Sequence, residues 1–290
     1  MNLLLAVGYR SEVSFDAADV RSLLFVPGDS ASKLAKAKGL VADALVFDWE
    51  DAVLASGKAA AREITRTALA EREAYPQAIV IRVNSVRSGS LDEDLDALAR
   101  CPADAVMFPK CEGEHHLGLL SARTGLPVIA TIETPLGVVR AAESASYSGQ
   151  VAALMFGAED YSTEMGIVRT GSEPETLFAR SATVNAARAF GKEAYDSPCM
   201  DYRDADTMRE TTERGRRMGY SGRLAIHPNQ PPVINEIYTA SESEVEAARK
   251  MLKEFDSTGL GVVGMEGQVI DEPVIERARR VVRAAERRAR

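Results

Sequence analysis

The chain has few residues of the kinds that build disulfide frameworks or zinc sites. Its 290 residues include three cysteines and three histidines. The cysteines, Cys101, Cys111 and Cys199, form no C-x-x-C pair, and one thiol is left over in any disulfide scheme, which fits a reducing compartment. The histidines lack the spacing of zinc ligands. Neither a disulfide-stabilised secreted domain nor a structural zinc site is therefore expected.

Long apolar runs and basic clusters mixed with aromatic residues are also scarce. The net charge is −8, and the one basic run, residues 277–290, has apolar residues at helical spacing, as in a packed helix with a solvated face. Nucleic acid is therefore not expected as a partner. The N-terminal run MNLLLAVGYR is too short for a signal peptide or a membrane span, so we expect a cytoplasmic protein without a membrane partner.

Eight apolar runs alternate with segments of helical apolar spacing, a pattern typical of consecutive βα units. The predicted strands are residues 22–28, 42–51, 78–84, 104–110, 127–135, 152–160, 192–198 and 222–230. Eight such units favour a closed (β/α)₈ TIM barrel of the α/β class over an open sheet. We therefore predict a loose N-terminal arm over residues 1–20 and a catalytic barrel over residues 21–240.

A C-terminal helical extension is predicted over residues 241–290. Since the barrel is already complete, this extension should cover the mouth or dock on a neighbouring subunit. It contains Gly259, Gly261 and Gly264 in G-x-G-x-x-G order. A helix rather than a strand precedes these glycines, so we interpret them as a flexible hinge and not as a dinucleotide site.

Polar residues follow nearly every predicted strand at its carboxyl end. They are Glu50, Asp51, Arg82, Asn84, Lys110, Glu133, Glu159, Asp160, Asp196 and His227. Each alone is compatible with an ordinary loop residue in water. In a barrel, however, all of them lie at one mouth, which is where such enzymes carry their chemistry.

Glu133 and Asp160 end two neighbouring apolar runs, PVIATI and VAALMF, which are joined by a helix-like segment. The two carboxylates should therefore lie at the same edge of the sheet, with the alternative that they are ordinary polar strand ends. Two acids held close together repel each other unless a proton or a cation lies between them, and a hard divalent ion fits that position.

The order of these motifs resembles the citrate lyase β-subunit-like branch of the HpcH/HpaI aldolase superfamily, over nearly the whole chain. The matching segments are RSLLFVPGDSASKLAKA, ALVFDWEDAV, IVIRVN, VMFPK, IETPLGV, FGAEDY, GRLAIHPNQ and GQVIDEPV. The resemblance implies Mg²⁺ as the cofactor, with Glu133 and Asp160 as its ligands. It also implies a homotrimer.

The resemblance further implies that Glu50 and Asp51 hold metal-bound waters and that Arg82 binds the substrate carboxylate. From the residues alone, an Arg82 paired with the Glu50/Asp51 cluster is an equally good interpretation. The smaller pyruvate aldolases of the superfamily have a histidine base where this chain has Asp51, which argues against their mechanism.

Three further roles rest on the resemblance. Asp271 matches the residue that moves a proton at the acetyl carbon, although an aspartate before Glu272-Pro273 is also typical of a helix N-cap. Arg21 and Lys33 match basic positions near the coenzyme A site. Residues Gly157 and Ala158 would present backbone N–H groups to the carboxylate of a 2-oxo acid.

The expected activity is the reversible cleavage of a 3-hydroxy acyl thioester, such as malyl-, citramalyl- or citryl-CoA, into acetyl-CoA and a 2-oxo acid. One alternative is a β subunit that is active only in a complex with an acyl carrier protein. A second is an aldolase that forms a Schiff base through Lys110, whose amine could have a lowered pKa if buried. The other interpretation of Lys110 is a cation that balances Glu133 and Asp160, and it is the favoured one.

Overall fold

The computed structural model describes residues 15–147, 150–258, 261–265 and 268–288. It divides between Asn235 and Glu236 into two compact units, residues 1–235 and 236–290. The sequence pattern placed this division at residue 240. No described helix is both long enough and apolar enough to cross a lipid bilayer.

The first unit is a closed barrel of eight parallel strands, each paired with the next along the chain and β8 paired with β1. The strands are β1 (Ser22–Pro27), β2 (Ala44–Asp48), β3 (Ala78–Arg82), β4 (Ala105–Phe108), β5 (Val128–Ile132), β6 (Val151–Phe156), β7 (Glu193–Asp196) and β8 (Gly222–Ala225). The predicted TIM barrel is therefore confirmed, including the weakly patterned seventh strand.

Helices connect the strands and surround the barrel. They are α1 (Ala31–Ala37), α2 (Lys58–Ala68), α3 (Leu91–Leu98), α4 (Glu114–Thr124), α5 (Pro135–Val139), α6 (Ala141–Ser146), α7 (Ala158–Met165), α8 (Leu177–Ala189), α9 (Ala205–Met218) and α10 (Gln230–Ile237). The helices cover the outer face of the sheet, and side chains of the strands fill the inner face. Both faces are therefore buried, which explains why the strands read as continuous apolar runs.

Alternating side chains of the strands fill the barrel interior. Val46, Val80 and Ile129 belong to this buried cluster. Successive side chains of a strand point to opposite faces, so the residues two further along β2 and β3, Asp48 and Arg82, turn toward the same interior at the mouth. The same alternation of side chains that fills the core therefore also places charged groups at one end of the barrel.

The segment before β1 is not a loose arm over its described part. Ala17–Asp19 form a 3₁₀ helix, and Ala17 and Val20 belong to the interior cluster. The hydroxyl of Tyr195 donates a hydrogen bond to the carbonyl of Ala17 at 2.8 Å. Residues 15–20 therefore pack against the interior of the barrel, whereas residues 1–14 lie outside the described residues.

The second unit contains α11 (Glu242–Thr258), an antiparallel pair of strands, β9 (Val262–Met265) and β10 (Gln268–Asp271), and α12 (Glu272–Arg288). Phe255, Ile270 and Ile275 form its small core. The hinge interpretation is wrong for Gly264, which lies within β9. Gly261 adjoins that strand, and Gly259 lies outside the described residues.

Candidate active site

Asp48 and Arg82 form a two-point ion pair at the ends of neighbouring strands. Arg82 Nε and Nη2 donate to the two carboxylate oxygens of Asp48 at 2.7 and 2.6 Å. Asp48 also accepts hydrogen bonds from the backbone N–H groups of Glu50 and Ala52. Burial raises the pKa of Asp48, but Arg82 and these N–H groups outweigh it, so the pKa lies below its ordinary value.

Glu50 lies beside the same guanidinium, deep in the mouth. One of its carboxylate oxygens is 3.2 Å from Arg82 Nη1, yet this oxygen is buried and accepts no hydrogen bond among the described residues. Burial is the main reason that the pKa of Glu50 rises to about 7, an effect that Arg82 and Lys110 partly offset. Asp51 is exposed and lies 3.7 Å from Arg82.

Lys110 links Glu50 to Asp160. Its ammonium lies 3.3 Å from a carboxylate oxygen of Glu50 and 3.2 Å from one of Asp160. Burial acts to lower the pKa of Lys110, but Glu50, Glu133 and Asp160 outweigh it and raise the pKa above its ordinary value. A Schiff-base lysine requires a lowered pKa, so the raised pKa of Lys110 does not fit the aldolase alternative. The contacts fit the other interpretation, in which Lys110 is a cation that balances the nearby carboxylates.

Glu133 follows β5 and is 3% exposed. One carboxylate oxygen accepts a hydrogen bond from the backbone N–H of Lys110 at 2.8 Å. Burial raises the pKa of Glu133 to about 8, and the nearby carboxylates of Glu50 and Asp160 add to this effect. Three carboxyl groups are therefore close enough to disfavour ionising together without a cation.

Asp160 is not at the end of an extended strand as the sequence pattern indicated. Strand β6 ends at Phe156, and Glu159 and Asp160 lie in the first turn of α7. The helical turn separates their side chains, because Glu159 pairs with Arg169 whereas Asp160 contacts Lys110. Of the two acids, Asp160 is therefore the one beside Glu133 and Glu50.

The predicted role of the Gly157 and Ala158 N–H groups is not supported by the geometry. The N–H of Gly157 donates to the carbonyl of Ile132 at 3.0 Å, and that of Ala158 donates to the hydroxyl of Ser197 at 3.0 Å. Both donors already have acceptors. Gly157 serves a different purpose, because a Cβ atom there would lie 2.3 Å from a carboxylate oxygen of Glu133.

Of the two basic residues matched to a coenzyme A site, Arg21 is at the wrong end of the barrel. It precedes β1, opposite the mouth, and its guanidinium binds Asp43 at 2.8 and 2.7 Å. Its assignment to thioester binding was therefore wrong. Lys33 lies in the first turn of α1, after the carboxyl end of β1, and is exposed. Its role stays a prediction.

Asp271 belongs to the second unit, where it ends β10 and precedes α12. Its carboxylate accepts a hydrogen bond from the backbone N–H of Val274 at 3.4 Å. The N-cap that the sequence allowed is therefore present. A catalytic role for Asp271 stays a prediction, because capping a helix uses one carboxylate oxygen and leaves the other available.

Sequence reasoning missed Asp48, the residue that orients Arg82. The signal was present, since Asp48 and Glu50 are two apart in FDWED and an acidic residue ends an otherwise apolar strand. Recognising the pair, however, required the register of β2 against β3, which places Asp48 directly beside Arg82.

Comparisons with known proteins agree with this architecture. Residues 21–228 match the model of the HpcH/HpaI aldolase/citrate lyase family. The citrate lyase subunit β of Escherichia coli strain K12 is 34% identical over 283 residues, covering 92% of this chain and 93% of the relative. A (3S)-malyl-CoA thioesterase of Cereibacter sphaeroides is 32% identical, covering 94% of this chain and 97% of the relative.

A solved structure is similar over almost the full length. It is that of protein CitE from Mycobacterium tuberculosis in complex with magnesium, acetoacetate and coenzyme A, with a TM-score of 0.82 and 32% sequence identity, covering 94% of this chain and all of that chain. The chain therefore belongs to the HpcH/HpaI aldolase/citrate lyase family of carbon–carbon lyases, in its citrate lyase β-subunit-like branch.

Proposed function

We propose that this protein is a Mg²⁺-dependent lyase that cleaves or forms a 3-hydroxy acyl thioester such as malyl-, citramalyl- or citryl-CoA. The products of cleavage would be acetyl-CoA and a 2-oxo acid. The observation that carries the proposal is the group of three carboxylates, Glu50, Glu133 and Asp160, held with Arg82 and Lys110 at the mouth of the barrel.

The residues at the mouth fit a magnesium ion. Glu133 and Asp160 would be its ligands, and their oxygens are the hard donors that Mg²⁺ prefers. Glu50 adds a buried oxygen that accepts no hydrogen bond among the described residues, which could receive one from a water of the ion. Bound there, Mg²⁺ would supply positive charge where charge develops on the oxygens of the 2-oxo acid. In solved structures of CitE from Mycobacterium tuberculosis, magnesium accompanies oxaloacetate or pyruvate.

The protein's own residues would orient the substrate. Arg82 is held by Asp48 through Nε and Nη2, so Nη1 is the edge of its guanidinium that faces Glu50 and Asp51. We assign that edge to the substrate carboxylate, because a fixed guanidinium binds carboxylates with little loss of entropy. Lys33, exposed at the start of α1, is assigned to the phosphates of coenzyme A.

Asp271 is assigned to proton transfer at the acetyl carbon, in its own or a neighbouring subunit of a homotrimer. In the cleavage direction the enolate of acetyl-CoA must take up a proton at carbon, and in the condensation direction the acetyl methyl group must lose one. A carboxyl group performs both steps, as an acid and as a base.

Two alternatives follow from the relatives. The Escherichia coli relative is a subunit of citrate lyase, which favours a partner carrying the acyl group on a carrier protein. The Cereibacter sphaeroides relative is a thioesterase, which favours hydrolysis of the thioester without breaking a carbon–carbon bond. The three reactions differ in their products, so one assay separates them.

The test is incubation of the purified chain with malyl-, citramalyl- and citryl-CoA, in EDTA and in Mg²⁺. A lyase releases acetyl-CoA and a 2-oxo acid in equal amounts, only with Mg²⁺ and without free thiol. A thioesterase releases free coenzyme A and no 2-oxo acid. No turnover of any ester, with Mg²⁺-dependent binding of oxaloacetate intact, would overturn the proposal in favour of the carrier-dependent subunit.

A further inference from the structure

Lys110 adopts a backbone conformation that is unfavourable for its residue type. Its φ angle is +49°, and of the described residues other than glycine only Lys110 and Glu173 have positive φ. A non-glycine residue in this region is strained and persists where the surrounding structure enforces it. A glycine would avoid the strain, so the side chain of Lys110 must contribute something that glycine cannot.

The backbone at this position already has one task. Its N–H donates to a carboxylate oxygen of Glu133 at 2.8 Å, and the next residue, Cys111, donates its N–H to the carbonyl of Thr131 at 3.0 Å. This turn ties the end of β4 to β5 and to Glu133. Glycine could make the same two hydrogen bonds, so they do not explain the lysine.

The side chain supplies the remaining contacts. The ammonium lies between Glu50 and Asp160, 3.3 and 3.2 Å from their nearest oxygens, while the backbone of the same residue holds Glu133. A single residue that follows β4 therefore contacts three carboxyl groups, which follow β2, β5 and β6 along the chain. Without a cation among them, these like charges repel each other.

We propose that Lys110 is a positioning residue that acts as an internal counter-cation, holding the three carboxylates together and giving up Asp160 when a divalent cation binds. The inference rests on the proposed function, because it concerns the same metal site. It predicts that a substitution in the metal site increases the affinity for Mg²⁺. Removing a cation that competes for Asp160 should strengthen the binding of Mg²⁺, whereas removing a residue that assists binding would weaken it.

The experiment compares wild type with Lys110→Met, Lys110→Arg and Lys110→Gly. The methionine variant removes the charge at similar length, the arginine variant keeps the charge, and the glycine variant removes both the charge and the backbone strain. Lys38→Met is the matched control, because Lys38 is an ion-paired lysine, 2.7 Å from Glu71, that the site does not use. Calorimetric titration gives the affinity for Mg²⁺, and thermal unfolding is measured in EDTA and in saturating Mg²⁺.

We expect Lys110→Met to bind Mg²⁺ at least about tenfold more tightly than wild type, a change that corresponds to 1.4 kcal/mol. In EDTA its melting temperature should fall below that of wild type. Lys110→Gly should also be less stable in EDTA, but at least as stable as wild type in saturating Mg²⁺, since its backbone strain is gone. Lys110→Arg and Lys38→Met should leave the affinity for Mg²⁺ unchanged within a few-fold.

Unchanged or weaker Mg²⁺ binding by Lys110→Met, with wild type binding normally, would overturn this inference and leave the lyase proposal standing. A wild-type protein that binds no Mg²⁺, even with oxaloacetate present, would instead overturn the metal-dependent function. The stability of the variants in EDTA tests the counter-cation role in either case, because that measurement involves no metal.

Discussion

Asp48 and Arg82 are direct register partners in adjacent strands, and their side chains meet through two parallel hydrogen bonds of 2.7 and 2.6 Å. Asp48 is 1% exposed. Its remaining hydrogen bonds, to the N–H groups of Glu50 and Ala52, fix the loop that carries Glu50 and Asp51. One buried carboxylate therefore sets the orientation of the guanidinium and of the acidic loop beside it.

Asp48→Asn should lower catalytic efficiency by about 10²-fold, the usual loss when a binding group is displaced. The change removes the charge that holds Arg82 while keeping the shape of the side chain. We expect the KM for the 2-oxo acid to rise more than kcat falls in the condensation direction. In an Arg82→Gln background the same substitution should cost little, and a double-mutant cycle measures this coupling.

Asp94→Asn is the matched control for Asp48→Asn. Asp94 is also fully buried and pairs with Arg62 at 2.7 Å, but it does not contact Arg82. Both substitutions break a buried ion pair, with an expected cost of about 3–5 kcal/mol in unfolding free energy. An equal rise in KM for both variants would show that Asp48 acts through overall stability alone.

Gly157→Ala should damage the metal site. The added Cβ would lie 2.3 Å from an oxygen of Glu133 and 2.6 Å from its Cβ, and Glu133 follows β5, which is hydrogen-bonded to a neighbouring strand on each side. We expect the affinity for Mg²⁺ to fall by about tenfold and unfolding to cost about 1–3 kcal/mol less. Calorimetry and denaturant unfolding measure the two effects. Gly171→Ala is the control, because nothing lies within 4 Å of a Cβ there; equal losses in both variants would contradict the prediction.

The protein without metal should become less stable as the pH rises. Burial, with Glu50 and Asp160 nearby, raises the pKa of Glu133 from 4.5 to about 8. Because the folded protein then holds a proton that the unfolded chain has lost, the stabilisation is complete below about pH 4.5 and is lost as the pH rises through about 8. Binding of Mg²⁺ must release this proton, so the affinity should increase with pH over the same range.

Denaturant unfolding in EDTA at several pH values checks the stability, and titration in buffers of different ionisation enthalpy counts the protons released. Glu133→Gln should weaken the dependence of stability on pH only in part, because Glu50 also has a raised pKa and contributes the rest of that dependence. Glu143→Gln is the control, because it changes an exposed glutamate. It should leave the dependence of stability on pH unchanged. Stability that rises over this range would refute the prediction.

Asp271→Asn should separate the catalytic role from the helix cap. Asparagine caps a helix about as well as aspartate, so the variant should unfold like wild type, whereas Asp271→Ala should lose about 1 kcal/mol. If Asp271 transfers the proton, kcat of the asparagine variant should fall by about 10²–10⁴-fold with little change in KM. Asp204→Asn is the control, because Asp204 caps α9 through the N–H groups of Asp206 and Thr207. Full activity of Asp271→Asn would contradict the catalytic role and leave Asp271 with the role of a helix N-cap alone.

Most of the barrel could be predicted from the sequence because its strands are buried on both faces. A run such as ALVFD or VAALMF is short and apolar, and segments with helical apolar spacing lie on either side of it. Eight such runs in succession favour a closed (β/α)₈ barrel. The exceptions lie where local pattern is weak. The segment 15–20 has no period of its own, and its place is set by Ala17 and Val20, which belong to the buried cluster of the barrel interior.

The position of the candidate site could be predicted from the sequence, but the contacts between its side chains could be predicted only in part. Glu133 and Arg82 were placed correctly at the mouth by the carboxyl-end rule. The extended segment assumed for Asp160 was wrong, because AEDY begins a helix once the chain leaves β6. Arg21 was assigned to the mouth by the resemblance alone, although the strand predicted over residues 22–28 already puts it at the opposite end.

The sequence by itself determined the order of strands and helices, the burial of the strands and the end of the barrel at which polar side chains gather, since these follow from the periodicity of apolar residues along the chain. Only the tertiary structure decided which charges meet. Strand register pairs Asp48 with Arg82, and a left-handed turn brings Lys110 among Glu50, Glu133 and Asp160. Contacts between charges distant in sequence are determined by packing in three dimensions, and no local pattern encodes them.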